Sequence, residues 1–167
     1  SIVAACCTIC PIRRPGWEWL NGPLVWAIAE EHQRLYLFPR ECPRVLIWPG
    51  PESSAADRAF WLGDLSPGCR AIAYVERGWA DRLASAHVFR YTLPPATFES
   101  MEDAGMYVSR QAVCPMGVER LSDLPAALGA AATELRIVDD LASLKDVWNS
   151  SLHASGIRLR NTATPFH

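Results

Sequence analysis

Residues 36–49 read YLFPRECPRVLIWP. The four residues from Val45 to Trp48 are aliphatic or aromatic without interruption, and Pro43 and Pro49 bracket them. A run this short, closed by proline at both ends, fits a strand buried on both faces. Just upstream, a doubled unit Pro-Arg-x-x-Pro-Arg spans Pro39 to Arg44. Each proline fixes its own φ near about −65°. Each also biases the residue before it, Phe38 or Cys42, toward extended or turn geometry. Arg40 and Arg44 therefore leave a stiff backbone in set directions. A guanidinium is a planar fork that grips carboxylate or phosphate with two parallel bonds, and a stiff backbone lowers the ordering cost of that grip. The structural reading of the same residues is that both arginines pair with nearby acids such as Glu41 or Asp57, or face water.

Outward from this strand the chain reads as mixed helix and strand. Leu24 to Ala29 is a compact apolar run after the turn Asn21-Gly22-Pro23, and a helical turn over EEHQRLY follows it. PGPESSAADRAFWLG is a loop leading into a short helix, with Ser53 or Ser54 as N-cap. RAIAYVE reads as a strand, and GWADRLAS as a short helix or turn. His87, Phe89, Tyr91 and Leu93 share one face of a period-two pattern that stops at Pro94-Pro95. Further strands are expected near Tyr107 to Val108, near Val113 to Glu119, and at Leu135 to Val138. A helix is expected over 123–133, where Leu124, Leu128 and Ala131 keep helical spacing and Ser122 caps the start. Asp139 and Asp140 sit at the positive end of another helix, which carries Leu141, Leu144, Val147 and Trp148. The connections are too short for a regular alternation of strand and helix. The expected class is α+β, a single compact domain with a mixed, mostly antiparallel sheet of about six or seven strands and three or four short helices. Residues 1–16 read as an irregular N-terminal segment, 17–161 as the domain, and 162–167 as a tail.

Composition sets the outer limits. The chain has 167 residues, half of them hydrophobic, and a net charge of −2. A domain of this size buries roughly 70% of the surface its unfolded chain would expose, so it needs no metal or disulfide staple. No basic field is present to hold a nucleic-acid polymer. No apolar run approaches the roughly 18 residues of a membrane span. Of the six cysteines, Cys6, Cys7 and Cys10 crowd the first ten residues. Cys7-Thr8-Ile9-Cys10 is a lone C-x-x-C without a second pair or a preceding strand, so neither a zinc nor a redox site is read there. A reduced, cytoplasmic setting is the default, with no cofactor, no metal and no membrane partner. Phosphate-loop, dinucleotide, nucleophile-elbow and zincin motifs are all absent from the sequence.

Two further segments carry chemistry. DAGMYVSR (Asp103 to Arg110) is a turn and a strand that end in Ser109 and Arg110, a common place for ligand contacts. SLHASGIRLRN (Ser151 to Asn161) gathers His153, Arg158 and Asn161 around a flexible Gly156. His153 titrates near neutral pH when unperturbed and can act as acid or base. The structural reading of that segment is a solvated polar tail. The expected site therefore takes His153 and Ser109 as catalytic groups, and Arg40, Arg44, Arg110, Arg158 and Asn161 as ligand-binding groups. Its ligand is a small anion of phosphate or nucleotide type.

WLNGPLVWAI, YLFPRECPRV, DAGMYVSR and SLHASGIRLRN together resemble an uncharacterised bacterial domain-of-unknown-function family, over most of the chain from Trp17 to Asn161. Members of that family begin with a short strand reading roughly Phe-His-Phe-Ser-Glu. Here SIVAACCTICPIRR stands in its place, which implies truncation or a shifted reading frame upstream of Pro15. A weaker resemblance, at the level of fold alone, is to the ADP-ribosyltransferase and RNA 2′-phosphotransferase superfold. It implies a ligand held in a cleft between small sheets, with Glu119 as a candidate acid. Two alternatives stand beside the anion-binding expectation. One is a non-catalytic protein-interaction module built on the seven tryptophans, with Trp48 and Trp148 assigned to the core. The other is an inactive, truncated remnant.

Overall fold

The computed structural model describes residues 2–4, 20, 22–103 and 105–166. Its strands are β1 (Ile2–Ala4), β2 (Val25–Ala29), β3 (Arg44–Trp48), β4 (Ala71–Glu76), β5 (Val88–Leu93), β6 (Glu99–Ser100), β7 (Met106–Ser109), β8 (Gly117–Leu121), β9 (Thr133–Val138) and β10 (His153–Ile157). Its α-helices are α1 (Ala55–Asp57), α2 (Ala80–Ser85) and α3 (Leu124–Ala130), supplemented by short 3-10 turns. The fold is α+β, with its strands distributed over two sheets. The chain divides into two compact units, residues 1–36 with 89–121, and residues 37–88 with 122–167.

The first unit carries the six-stranded sheet, ordered β6-β7-β2-β1-β5-β8. β1 lies between β2 and β5 and runs antiparallel to both, with Val3 opposite Ile28 and Thr92. Ile2–Ala4 are thus a central strand, which corrects the reading of residues 1–16 as irregular throughout. Three successive apolar residues with two β-branched side chains suit an interior strand. The C-x-x-C at Cys7 and Cys10 lies outside the described residues. In β5, Phe89 and Tyr91 are exposed, while Arg90 between them and Thr92 after them are partly covered. Arg90 is turned to Gln33 and to the Glu119 carboxylate, and these polar partners decide which face is covered.

The second unit carries the four-stranded sheet, ordered β10-β3-β4-β9. β3 and β4 are its two interior strands, and β3 is antiparallel to both of its neighbours, while β9 runs parallel to β4. Val45 faces Tyr74 and Ile47 faces Ile72 across the β3–β4 ladder. These four side chains form one core with Leu62, Leu141, Val147 and Leu152. Every residue of β4 is buried, which fits an interior strand.

Local chemistry fixes the ends of the elements. Ser54 caps α1 by accepting from the Asp57 amide, as its sequence position implies. α3 is capped by Asp123 and not by Ser122, with Pro125 following in its first turn, where a missing amide is tolerated. Asp140 caps the 3-10 segment Leu141–Asn149. Trp148 on that segment is 42% exposed, with its ring edge-on to Phe166, which corrects its assignment to the core.

The largest correction concerns the C-terminal segment. His153 to Ile157 is an edge strand, paired residue for residue with β3 from Trp48 to Arg44. The chain beyond it is tied down by Glu76, a buried carboxylate at the end of β4. One Glu76 oxygen accepts from the Leu141 amide at 3.3 Å, and the other from the Ala163 amide at 3.0 Å. Removing that carboxylate leaves both donors without this partner. Glu76→Ala is expected to lower stability by about 1–3 kcal/mol, measured by urea denaturation, and to expose residues 163–166 to protease. Unchanged stability together with a protected C-terminus would contradict the role assigned to Glu76.

Candidate functional site

The β3–β10 register sets Ile157 opposite Arg44. It therefore brings the chain entering β3 beside the chain leaving β10. The entering segment is a four-residue turn, Pro39 to Cys42, closed by the Cys42 amide donating to the Pro39 carbonyl at 2.9 Å. Arg40 and Glu41 occupy its two central positions and are exposed. The leaving segment is a 3-10 turn, Leu159–Asn161, preceded by Arg158 in the left-handed conformation with φ 58°.

Four side chains meet here on one carboxylate. Asn161 Nδ2 donates to the Glu41 carbonyl at 2.8 Å and to Glu41 Oε2 at 3.1 Å. Arg158 Nη2 lies 3.7 Å from Glu41 Oε1, Arg160 Nη2 lies 3.6 Å from Oε2, and Arg40 Nε lies 4.0 Å from Oε1. Arg158 Nε also donates to the Arg40 carbonyl at 3.3 Å, which ties the two turns together. All three ion pairs are longer than a hydrogen bond. The carboxylate is shared among the guanidiniums and gripped by none of them. The hydrogen bond from Asn161 holds the Glu41 carboxyl below its usual range; Arg158, Arg160 and Arg40 add to this, against partial desolvation.

The other expected site residues are placed elsewhere. Arg44 is only 4% exposed. Its guanidinium donates to the Cys42 carbonyl at 3.0 Å and lies over the Phe38 ring, 4.8 Å from the centroid. It supports the Pro39–Cys42 turn from inside. His153 begins β10, at the far end from Arg158, with the strand from His153 to Ile157 spanning about 13 Å by its rise. It stacks on Trp48 with ring centroids 5.6 Å apart. Gly50 lies against it so closely that a Cβ there would come within 2.3 Å of the imidazole Nε2. Ser109 and Arg110 belong to the first unit. Ser109 is buried and bonds to Thr97 and Gln111. Arg110 lies 3.8 Å from Glu99. Glu119, the candidate acid, is ion-paired with Arg90. Among the described residues no group of three His, Cys, Asp or Glu is placed to hold a metal ion, and no helix is long and apolar enough to cross a membrane.

A second polar cluster in the same unit is closed on itself. Asp57 Oδ2 accepts from both the amide and the hydroxyl of Ser151, at 2.8 and 2.6 Å, and these bonds hold its carboxyl below the usual range. Ser53 Oγ donates to the Ser151 carbonyl and accepts from the Gly50 amide. Arg58 donates to the Gly50 and Ser53 carbonyls. This network ties the α1 region to the start of β10 and spends its donors and acceptors on the protein itself. Sequence reasoning missed Arg160 as a member of the Arg cluster. Arg160 reaches the cluster from the same 3-10 turn as Asn161, directly after the left-handed Arg158.

A family profile, described as a family of unknown function, matches residues 10–162. The chain belongs to DUF6886. The match takes in both the Pro39–Cys42 and the Leu159–Asn161 turns, and the strand Ile2–Ala4 precedes it. No curated protein and no solved structure matches the chain.

In this DUF6886 chain the exposed turn rests on a buried anchor. Cys42 has no exposed surface, and burial pushes its thiol up to about 11, with Arg44 opposing the shift. A thiol raised in the folded state contributes stability that is fully present below the unfolded value, near about 8.5–9. That contribution is lost as pH rises through about 11. Unfolding free energy is therefore expected to fall between roughly pH 9 and 11, and Cys42→Ala is expected to flatten that decline. The same slope in protein and variant would place the titrating group elsewhere.

Proposed function

We propose that the paired turns at Pro39–Cys42 and Arg158–Asn161 bind a small anionic ligand of phosphate or nucleotide type. The observation that carries this reading is the convergence of cations at one spot. Three guanidiniums, from Arg40, Arg158 and Arg160, approach the carboxylate of Glu41 from two turns, on a chain whose net charge is −2. Their long, shared geometry leaves room for a second acceptor, and guanidinium forks match phosphate oxygens in shape. Asn161 adds a neutral donor. The left-handed backbone at Arg158 is a second support, because strained non-glycine residues gather at ligand clamps. His153 stands apart from this cluster, so the reading is of binding and no reaction is assigned. The resemblance to ADP-ribosyl and 2′-phosphate transferases enters only through the choice of probes.

A second reading, a protein-interaction module, has its own support in the first unit. Phe89 and Tyr91 on β5, and Met116 and Val118 at and before the neighbouring β8, are exposed apolar side chains. Aromatic and Met residues on open surface are enriched at protein contacts.

The discriminating measurement is thermal unfolding against phosphate, pyrophosphate, AMP, ADP and NAD. A ligand at 100 times its dissociation constant adds about 2.7 kcal/mol, which raises Tm by roughly 5–11 °C for a chain of this length. Arg158→Gln and Arg160→Gln are each expected to weaken binding roughly fivefold to tenfold, and added salt to weaken it further because the cluster is exposed. No shift with any of these anions would overturn the reading and favour the interaction module.

A further inference from the structure

We propose that residues 162–166 act as a strap that positions the turn carrying Arg160 and Asn161, so that an anion at the turn and fastening of the strap on Glu76 and Trp148 favour one another. The inference rests on the anion-binding reading above and adds to it a regulation of that site from outside it.

A three-residue 3-10 turn does not hold its own place. Leu159–Asn161 is closed by the Asn161 amide donating to the Arg158 carbonyl at 2.9 Å and the Thr162 amide donating to the Leu159 carbonyl at 3.3 Å. Forming a single turn is unfavourable without outside support. The ladder with β3 ends at Ile157, and Arg158 leaves strand geometry in the left-handed conformation. Toward solvent, Arg160 and Asn161 meet Glu41, the place assigned to the anion. Toward the core, Leu159 packs against the cluster built on β3 and β4. The remaining support comes from the chain that follows.

That chain is fastened at two points. Thr162 Oγ1 lies 2.8 Å from the Leu159 carbonyl and 2.6 Å from the Thr164 carbonyl, and its one proton serves one of them at a time. The hydroxyl thus joins turn to strap. The Ala163 amide then donates to Glu76 Oε2 at 3.0 Å. Phe166 sets its ring edge-on to Trp148, with centroids 5.4 Å apart, and packs against the same core. Between these anchors Thr164 and Pro165 are exposed. A segment with so few fastenings opens locally at far lower cost than the sheet beneath it. Glu76 keeps its bond from the Leu141 amide when the strap lifts, so the dock persists for refastening.

Coupling follows from the shared backbone. With the strap open, the turn loses the support that follows it, and Arg160 and Asn161 no longer stand together at Glu41. An anion therefore binds the fastened form better, and by linkage it favours fastening by the same factor. The apparent affinity falls in proportion to the fraction of molecules that are fastened.

The test uses the full chain, Phe166→Ala and Phe166→Leu, with hydrogen exchange at residues 163–166 and calorimetric titration of inorganic pyrophosphate. Phe60→Ala is the control; it removes a 78% exposed ring from the turn Arg58–Leu62. In the protein, pyrophosphate is expected to slow exchange at Ala163, Thr164 and Phe166 and to leave the exposed Asp64 and Gly68 unchanged. Phe166→Ala is expected to exchange faster at these three residues and to bind pyrophosphate more weakly; a strap open about nine-tenths of the time gives about a tenfold loss. Phe166→Leu keeps an apolar side chain for Trp148 and is expected to recover most of the affinity, while Phe60→Ala matches the protein. Faster exchange in Phe166→Ala at unchanged affinity overturns the strap and leaves the anion site standing. So does pyrophosphate binding that leaves exchange at 163–166 unaltered, or exchange in Phe166→Ala as slow as in the protein. Absence of pyrophosphate binding by the protein overturns this inference; if phosphate, AMP, ADP and NAD are equally silent, the anion-binding reading falls with it.

Discussion

The antiparallel pairing of β3 with β10 is the constraint on which the second unit's surface chemistry depends. β3 has its own reason to be a strand: an apolar run closed by prolines and packed against β4 and the Leu141–Asn149 segment. β10 has no such reason. His-Ala-Ser-Gly-Ile offers neither alternation nor a continuous apolar run, and as an isolated peptide it would be coil. It becomes a strand because β3 presents an unpaired edge and because the chain on either side of it is fastened. Ser151 is held to Asp57 and Ser53 before it, and Ala163 to Glu76 after it. The fixed register, Ile157 opposite Arg44, then places two turns of unlike sequence side by side. A slip of one residue would turn Arg158 toward the other face and dissolve the cluster.

Packing at Gly156 shows how the core reaches this surface. A Cβ there would meet Leu159 Cδ1 at 2.5 Å and the Trp148 ring at 3.0 Å. Glycine lets both side chains lie against the strand, and Leu159 in turn seats the 3-10 turn that carries Arg160 and Asn161. Sequence reading saw Gly156 as flexibility. In the fold it is a point of close approach, and it serves the positioning of the turn that follows.

The fold was legible wherever a segment's own composition settled its state. The strands at Val45 to Trp48 and at Val25 to Ala29, and the Ser54 cap, follow from local chemistry, and the structure has them. What was not legible depended on partners remote in the chain. β10 required β3. The exposed face of β5 required Gln33 and Glu119 to claim Arg90. The cap of α3 fell to Asp123, one residue past Ser122, whose carboxylate accepts from the Ala126 amide. The expected site shows the same division. Proline stiffness around Arg40 was readable, but Arg158 lies 118 residues away, and only sheet register brings the two together. Arg44 carries the same motif as Arg40, yet it starts an interior strand and is drawn inward to Cys42 and Phe38. One doubled Pro-Arg unit thus yields one exposed cation and one buried support.

The Arg cluster makes poor sense as a stabilising device, and that is its chief interest. Exposed ion pairs contribute little to folding, and three guanidiniums crowded at one carboxylate repel one another. Arg158 is held in a left-handed conformation that costs an L-residue about 1–2 kcal/mol, which glycine would avoid. The neighbouring Ser151–Asp57 network shows what this unit does when the aim is architecture: short bonds, matched donors and acceptors, no surplus charge. At Glu41 the ion pairs are long and the carboxylate is shared. Two clusters on one sheet, built from similar residues, differ in how tightly their charges are gripped. The loosely held one is the one on which the proposed anion binding rests.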